Sequence, residues 1–98
     1  MIGGTVERTA GVGDQGVDLF VVRGAQRTAV QAKGYFNSVG NDAVQQVVAG
    51  MAHYGCNACA VITNSHFTIS AKALAESNRC LLIGEEELPN FVLGKIAF

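Results

Sequence analysis

The sequence is short of charge. Of its 98 residues only 15% are Asp, Glu, Lys or Arg, and the formal net charge is -1. With 49% hydrophobic residues, that scarcity excludes an intrinsically disordered chain. Without an excess of basic residues there is no global attraction for a polyanion. Nucleic acid would have to be held by local basic residues, by helix N-termini or by metal. No apolar run approaches the roughly 20 residues of a membrane span, because glycines and polar residues break each one. The opening Met1-Ile2-Gly3-Gly4-Thr5 lacks the basic and apolar regions of a signal peptide. These absences lead us to expect a soluble, cytoplasmic protein without a membrane partner, folded as one domain over residues 1–98 around a modest core.

Cysteine is scarce and odd in number: Cys56, Cys59 and Cys80. Without a secretory signal, such a set reads as reduced thiols. Cys56-Asn57-Ala58-Cys59 has C-x-x-C spacing, but no second pair completes a zinc site, and His53 and His66 stand near it without a finger pattern. A redox C-x-x-C usually opens a helix, whose dipole lowers the thiol pKa. This one runs into Ala58–Thr63, which has strand character, so structural thiols are expected.

The chain alternates short apolar runs with turn signals. Gly4–Thr9 predicts a first strand and Gly16–Val22 a second. Thr28–Lys33 predicts a third, with Arg23-Gly24-Ala25-Gln26-Arg27 as a tight connection folding about Ala25. Gly11-Val12-Gly13-Asp14-Gln15-Gly16 fits G-x-G-x-x-G, but a strand follows it where a dinucleotide site needs a helix, so it reads as a Gly-rich turn. Asn41 or Asp42 is expected to cap a helix reaching His53, with Val44, Val47, Val48 and Met51 as its apolar stripe and Gly55 ending it. Ala58–Thr63 reads as a central strand covered on both faces. Thr68 is expected to cap a second helix to Asn78 with Phe67, Ile69, Ala73 and Leu74 inward, followed by a strand at Cys80–Ile83. A last helix carries Leu88, Phe91, Val92 and Ile96, with Glu85–Glu87 as its acidic first turn and Pro89 early enough to be tolerated. The order β-β-β-α-β-α-β-α describes an α/β domain with a mixed sheet, a β-meander followed by parallel crossovers.

The hairpin holds an unusual group. If it folds about Ala25, Asp18 lies across from the Gln31–Lys33 end of the next strand, and Gln31 and Lys33 share one face. A hard divalent cation takes oxygen ligands, and the Asp18 carboxylate, the Gln31 amide oxygen and the Ala32 carbonyl are of that kind. Lys33 beside them would position water or stabilise charge developing on a phosphate. The same residues also suit a solvated hairpin end with Lys33 paired to Asp18, worth about 0–1 kcal/mol. Spacing alone does not choose between the two.

Gly13-Asp14-Gln15-Gly16-Val17-Asp18-Leu19, Val30-Gln31-Ala32-Lys33, and Ala60-Val61-Ile62-Thr63-Asn64-Ser65-His66-Phe67-Thr68 with Ala71 resemble, in that order, the catalytic domain of Mrr-type restriction endonucleases. These belong to the PD-(D/E)XK nuclease superfamily, which also includes archaeal Holliday-junction resolvases. The resemblance runs from about Thr5 to about Leu93. It implies a restriction-endonuclease-like core and hydrolysis of DNA phosphodiester bonds with Mg2+ or Mn2+. Asp18 matches the metal-binding aspartate, Gln31 the position where many relatives have Glu, and Lys33 the catalytic lysine. Gln45 or Gln46 resembles an auxiliary polar position. Mrr-type domains usually begin with a helix bearing a further glutamate; the sequence starts close to its first strand, so an N-terminally trimmed domain is expected, and Glu7 is not that residue. The uncovered sheet face would then call for a homodimer or a companion chain.

Further candidates are weaker. The amides of Ser65–Ile69, with Ser65 and Thr68, suit a DNA phosphate, although Thr68 also reads as an ordinary cap. Tyr35 and Phe36 suit stacking on a base or packing. Arg8, Arg23 and Arg27 could make a basic patch, with Arg23 and Arg27 at the far end of the hairpin. His53 and His66 read as surface or capping residues.

Overall fold

The computed structural model describes residues 5–8, 17, 19–34 and 38–92, the first four and the last two as backbone. Strands β1 (Thr5–Arg8), β2 (Leu19–Arg23) and β3 (Gln26–Lys33) are followed by α1 (Asn41–His53), β4 (Ala58–Thr63), α2 (Ile69–Ser77), β5 (Cys80–Ile83) and α3 (Leu88–Val92). The expected order holds. The five strands lie in one sheet in chain order. β1–β2 and β2–β3 pair antiparallel, and β3–β4 and β4–β5 pair parallel. The meander is local and cheap to close; the parallel pairs need the crossovers α1 and α2.

The β2–β3 hairpin is tighter than expected. Arg23 pairs with Gln26, so the turn is Gly24-Ala25 alone and β3 starts before Thr28. Gly24 has φ +58, the conformation a two-residue hairpin turn needs at its first central position and one that glycine adopts without strain. Asn57, inside the C-x-x-C, clamps this turn. Its Oδ1 accepts from the Arg27 amide at 2.8 Å and its Nδ2 donates to the Ala25 carbonyl at 3.0 Å. The start of β4 is thereby tied to the start of β3, which sets the register Thr28↔Ala58 to Lys33↔Thr63. Val17 lies outside β2 but is fully buried in the core.

Alternation along the strands separates two apolar layers. On the helical face Ala29, Cys59, Val61 and Cys80 pack with Val44 and Val47 of α1 and Ala71 and Ala75 of α2. On the other face Val21, Val30 and Ala60 are buried, with Leu19, Ile62 and Leu81 half-buried around them. The centre of that second face is therefore covered within the single chain, and only its rim is part-open. Each fully buried valine contributes roughly 1.5–3 kcal/mol, so β3, flanked by β2 and β4 and buried from Thr28 to Gln31, is the heaviest anchor of the sheet.

Three helix expectations need correction. The N-cap of α1 is Gly40, not Asn41 or Asp42. Val39 is locked in a bridge to Phe67, its amide donating to the His66 carbonyl at 2.8 Å and its carbonyl accepting from the Thr68 amide at 3.0 Å, so the chain turns into the helix one residue sooner. Thr68 does cap α2, accepting from the Ala71 amide at 3.1 Å, but Ile69 is 88% exposed and Ala73 is exposed too. The inward face is Phe67, Ala71, Leu74 and Ala75, because small alanines let α2 lie close to α1. Glu85–Glu87 precede α3 and do not form its first turn: Glu87 accepts from the Gly84 amide at 2.8 Å, and the Leu88 amide returns to the Gly84 carbonyl at 2.9 Å. Ile96 lies outside the described residues.

The two main helices end differently. At the end of α1 the Cys56 amide donates to Met51 O at 2.8 Å and the Gly55 amide to Ala52 O at 3.3 Å, with Gly55 at φ +67, a Schellman ending. After α2 the left-handed position falls to Arg79, at φ +54. Arg79→Gly should therefore raise stability by about 0.5–1 kcal/mol, the relieved left-handed strain less the added freedom of the unfolded chain. Urea denaturation measures this; an unchanged or lowered midpoint contradicts it.

Cys59 and Cys80 stand opposite each other on β4 and β5 and are both buried, while Cys56 is half-buried; all three are free thiols. The hydrogen bond with Cys59, and then burial, push the Cys80 thiol far above its ordinary pKa, and burial also raises Cys56. A raised thiol pKa favours the fold while the thiol is protonated and loses that support as pH rises through the folded-state value. At pH 8 a maleimide should modify Cys56 first and leave Cys59 and Cys80 unlabelled until urea unfolds the chain. Equal labelling of all three under native conditions, read by mass spectrometry, would contradict this arrangement.

Candidate active site

The site grows from the end of β3. The described β2–β3 register ends at Leu19↔Val30, and Gln31, Ala32 and Lys33 continue past that rung, paired on their other side with Val61, Ile62 and Thr63. Asp18, next to Leu19 in sequence, lies outside the described residues. Gln31 and Lys33 alternate onto the helical face, beneath α1, and Ala32 points to the opposite face and is exposed.

Gln31 is the unusual member. Its neighbours Ala29 and Val30 are core, and Gln31 itself is only 5% exposed. Its Nε2 donates to Gln46 Oε1 on α1 at 2.9 Å. Its Oε1 is buried with no hydrogen-bond partner among the described residues. A buried carbonyl oxygen left in that state costs roughly 1–3 kcal/mol. A neutral, buried oxygen at the end of a strand is the kind of ligand a hard divalent cation takes, and a cation there would satisfy it. Lys33, half-buried, stands opposite Thr63 at the lip of an open concavity of about 360 Å³, which Ala32, Ile62, Asn64 and Leu88 also line. Gln31 and Lys33 therefore lie two residues apart at one end of the sheet, and the concavity that Lys33 borders is lined by Ala32 and Ile62 of the other face. Among the described residues no group of three or more His, Cys, Asp or Glu side chains gathers as a metal site.

The structure separates Gln45 from Gln46. At about 100° per residue, Gln46 lies some 40° from buried Gly50 on the edge of the inward stripe, and Gln45 lies on the opposite side of α1. Both are exposed, but Gln46 reaches Gln31. The pattern Ala43–Val47–Gly50 carried this signal: a polar residue on the border of a buried stripe is one placed to reach beneath the helix.

The other candidates are dispersed. Ser65 is buried; its amide donates to Thr63 Oγ1 at 3.1 Å and its carbonyl accepts from the Glu85 amide at 2.7 Å. Thr68 Oγ1 caps α2 and lies 3.3 Å from Ser70 Oγ. His66 is exposed, and so is His53, whose ring meets the Tyr54 ring edge-on at 4.8 Å. Arg23 and Arg27 stand at the hairpin turn, away from Gln31, with the Arg27 guanidinium 4.5 Å from the centre of the Phe20 ring. Tyr35 and Phe36 lie outside the described residues, as do the glycine-rich residues 11–16 and the side chains of Glu7 and Arg8.

Similar architectures occur in three solved structures. The protein of unknown function AF1548 matches with a TM-score of 0.70 at 20% identity, over 84% of this chain and 50% of that one. The MspJI restriction endonuclease, solved in complex with a 27-mer oligonucleotide, matches with a TM-score of 0.64 at 21% identity, over 88% of this chain and 22% of that one. The DNA modification-dependent restriction endonuclease AspBHI matches with a TM-score of 0.66 at 18% identity, over 87% and 24%. This chain thus spans half the length of the first and under a quarter of the other two, and at these identities the likeness is one of fold. No curated protein matches the sequence. The family model Mrr_cat, described as restriction endonuclease, matches residues 1–92. With nearly its whole length covered and its fold shared with restriction endonucleases, the chain belongs to the Mrr catalytic-domain family of restriction endonucleases.

Proposed function

We propose that this domain is a metal-dependent endodeoxyribonuclease that hydrolyses DNA phosphodiester bonds. The buried Oε1 of Gln31, without a partner among the described residues and near Lys33 at the end of β3, is the observation that carries the reading. Family membership supports the nuclease class, and MspJI, solved with an oligonucleotide, and AspBHI, named for its action on modified DNA, support DNA as the substrate.

Asp18, Gln31 Oε1 and the Ala32 carbonyl would hold one Mg2+ or Mn2+ ion, three oxygen ligands with water filling the rest of the shell. Bound there, the ion supplies Lewis-acid polarisation of the phosphate and a more acidic water. The chain's own groups do the remainder. Gln31, buried and hydrogen-bonded to Gln46, would offer its amide oxygen to the ion. Lys33 brings positive charge to the non-bridging phosphate oxygens, where negative charge develops as water attacks phosphorus and the bond to the leaving oxygen breaks. The concavity beside Lys33 gives the backbone of the nucleic acid an approach. With only Asp18 as a charged ligand, cation affinity should be modest.

In this reading the half-buried rim of the second sheet face away from that concavity, Leu19 and Leu81, is where a second copy or a companion chain would sit. No helix among the described residues is long and apolar enough to cross a membrane, and we place the protein in the cytoplasm with the DNA it would act on.

Supercoiled plasmid incubated with Mg2+ or Mn2+ tests the proposal. The wild-type domain should nick or linearise it, and Lys33→Ala should slow cleavage about 10²–10³-fold. Asp18→Asn should do the same, with partial recovery at higher Mn2+. Cleavage that persists in both variants, or in excess chelator, would falsify the assignment. Metal-independent DNA binding without cutting, unchanged by Lys33→Ala, would identify instead a DNA-binding relative without catalysis.

A further inference from the structure

Among the described residues the Gln31 side chain makes one hydrogen bond and leaves one buried atom unused, and which atom is unused depends on its partner. An amide offers an acceptor on one side and a donor on the other. In the structure Nε2 is turned to Gln46 Oε1, 2.9 Å away, and Oε1 is left buried without a partner among the described residues. Turning the Gln31 amide over would place its Nε2 where the cation belongs and repel it. The orientation is therefore not fixed by Gln31, whose two ends are nearly equal in size. It depends on what position 46 presents.

We propose that Gln46 is a positioning residue for the cation: its Oε1 accepts the Gln31 amide proton and so keeps Gln31 Oε1, not Nε2, turned toward the metal. This rests on the metal-dependent reading above. It also explains why an exposed glutamine on α1 reaches down to a buried one on β3. Gln46 is itself an amide, so both side chains can turn over together and keep their hydrogen bond while exchanging Oε1 for Nε2 at the site. The cation selects one of these two arrangements, and the residue at position 46 sets how readily it is reached. A residue that only accepts holds the metal-binding arrangement. One that only donates holds the opposite one. A residue that does neither leaves Gln31 free to turn.

Mn2+ titration followed by electron paramagnetic resonance, with the Gln31 side-chain amide followed by 15N NMR in the metal-free protein, tests this without reference to cleavage. Gln46→Leu should weaken Mn2+ binding about tenfold, the lower end of what removing a residue that supports a metal ligand costs. Gln46→Glu should bind at least as well as wild type and show one Gln31 Nε2 proton hydrogen-bonded. Gln46→Lys should bind more weakly than Gln46→Leu. Gln45→Glu and Gln45→Lys add the same charges on the opposite side of α1 and should shift affinity far less. Thermal melting of each variant shows that it remains folded. Wild-type affinity in Gln46→Leu, or equal effects at positions 45 and 46, overturns the inference and leaves the metal site standing. No Mn2+ binding by the wild type removes both.

Discussion

A buried carbonyl oxygen with no partner among the described residues is a constraint that the rest of this fold has to carry. Gln31 Oε1 sits in a strand whose preceding residues are core, at a cost of roughly 1–3 kcal/mol. Against a typical domain stability of about 5–15 kcal/mol, that is a substantial share. Leucine or methionine there would remove the cost. A glutamine is instead held there by its bond to Gln46 on α1 and its pairing with Val61 on β4, and a bound cation would return its cost.

The architecture explains how so small a domain carries it. β3 lies between an antiparallel partner and a parallel one, and its middle residues are buried on both faces. Asn57 fixes the hairpin turn against the start of β4, so the register at the far end of β3 is set from the end remote from the chemistry. Lys33 is then delivered opposite Thr63 and beside the concavity. Rigid core at one end of the strand and polar groups at the other are consequences of one register.

Much of this was legible in the sequence. β-branched runs such as Ala58–Thr63 and Thr28–Lys33 announced the strands, and the stripe Val44, Val47, Val48, Met51 and the Thr68 cap announced the helices that cross between parallel ones. Gln31 and Lys33 emerged from their two-residue spacing together with the family resemblance. The pairing of Gln31 with Gln46 was not legible, because it depends on how α1 is rotated over β3. Local pattern also misled at Ile69, where hydrophobicity pointed inward but small Ala71 and Ala75 set the contact with α1. At Gly40 a long-range bridge from Val39 to Phe67 overrode the better capping side chains that follow it. In each case a tertiary contact decided between local options the sequence left nearly equal.

The central claim is that Gln31 Oε1 is a cation ligand. The most direct measurement is anomalous diffraction from crystals of the domain equilibrated with Mn2+ and a short DNA duplex. The account predicts a manganese peak at roughly 2.0–2.2 Å from Gln31 Oε1, at the distance oxygen ligands of a small divalent ion adopt, with Asp18 in the same shell. Manganese bound elsewhere, or a Gln31 amide whose nitrogen faces the ion, would contradict it.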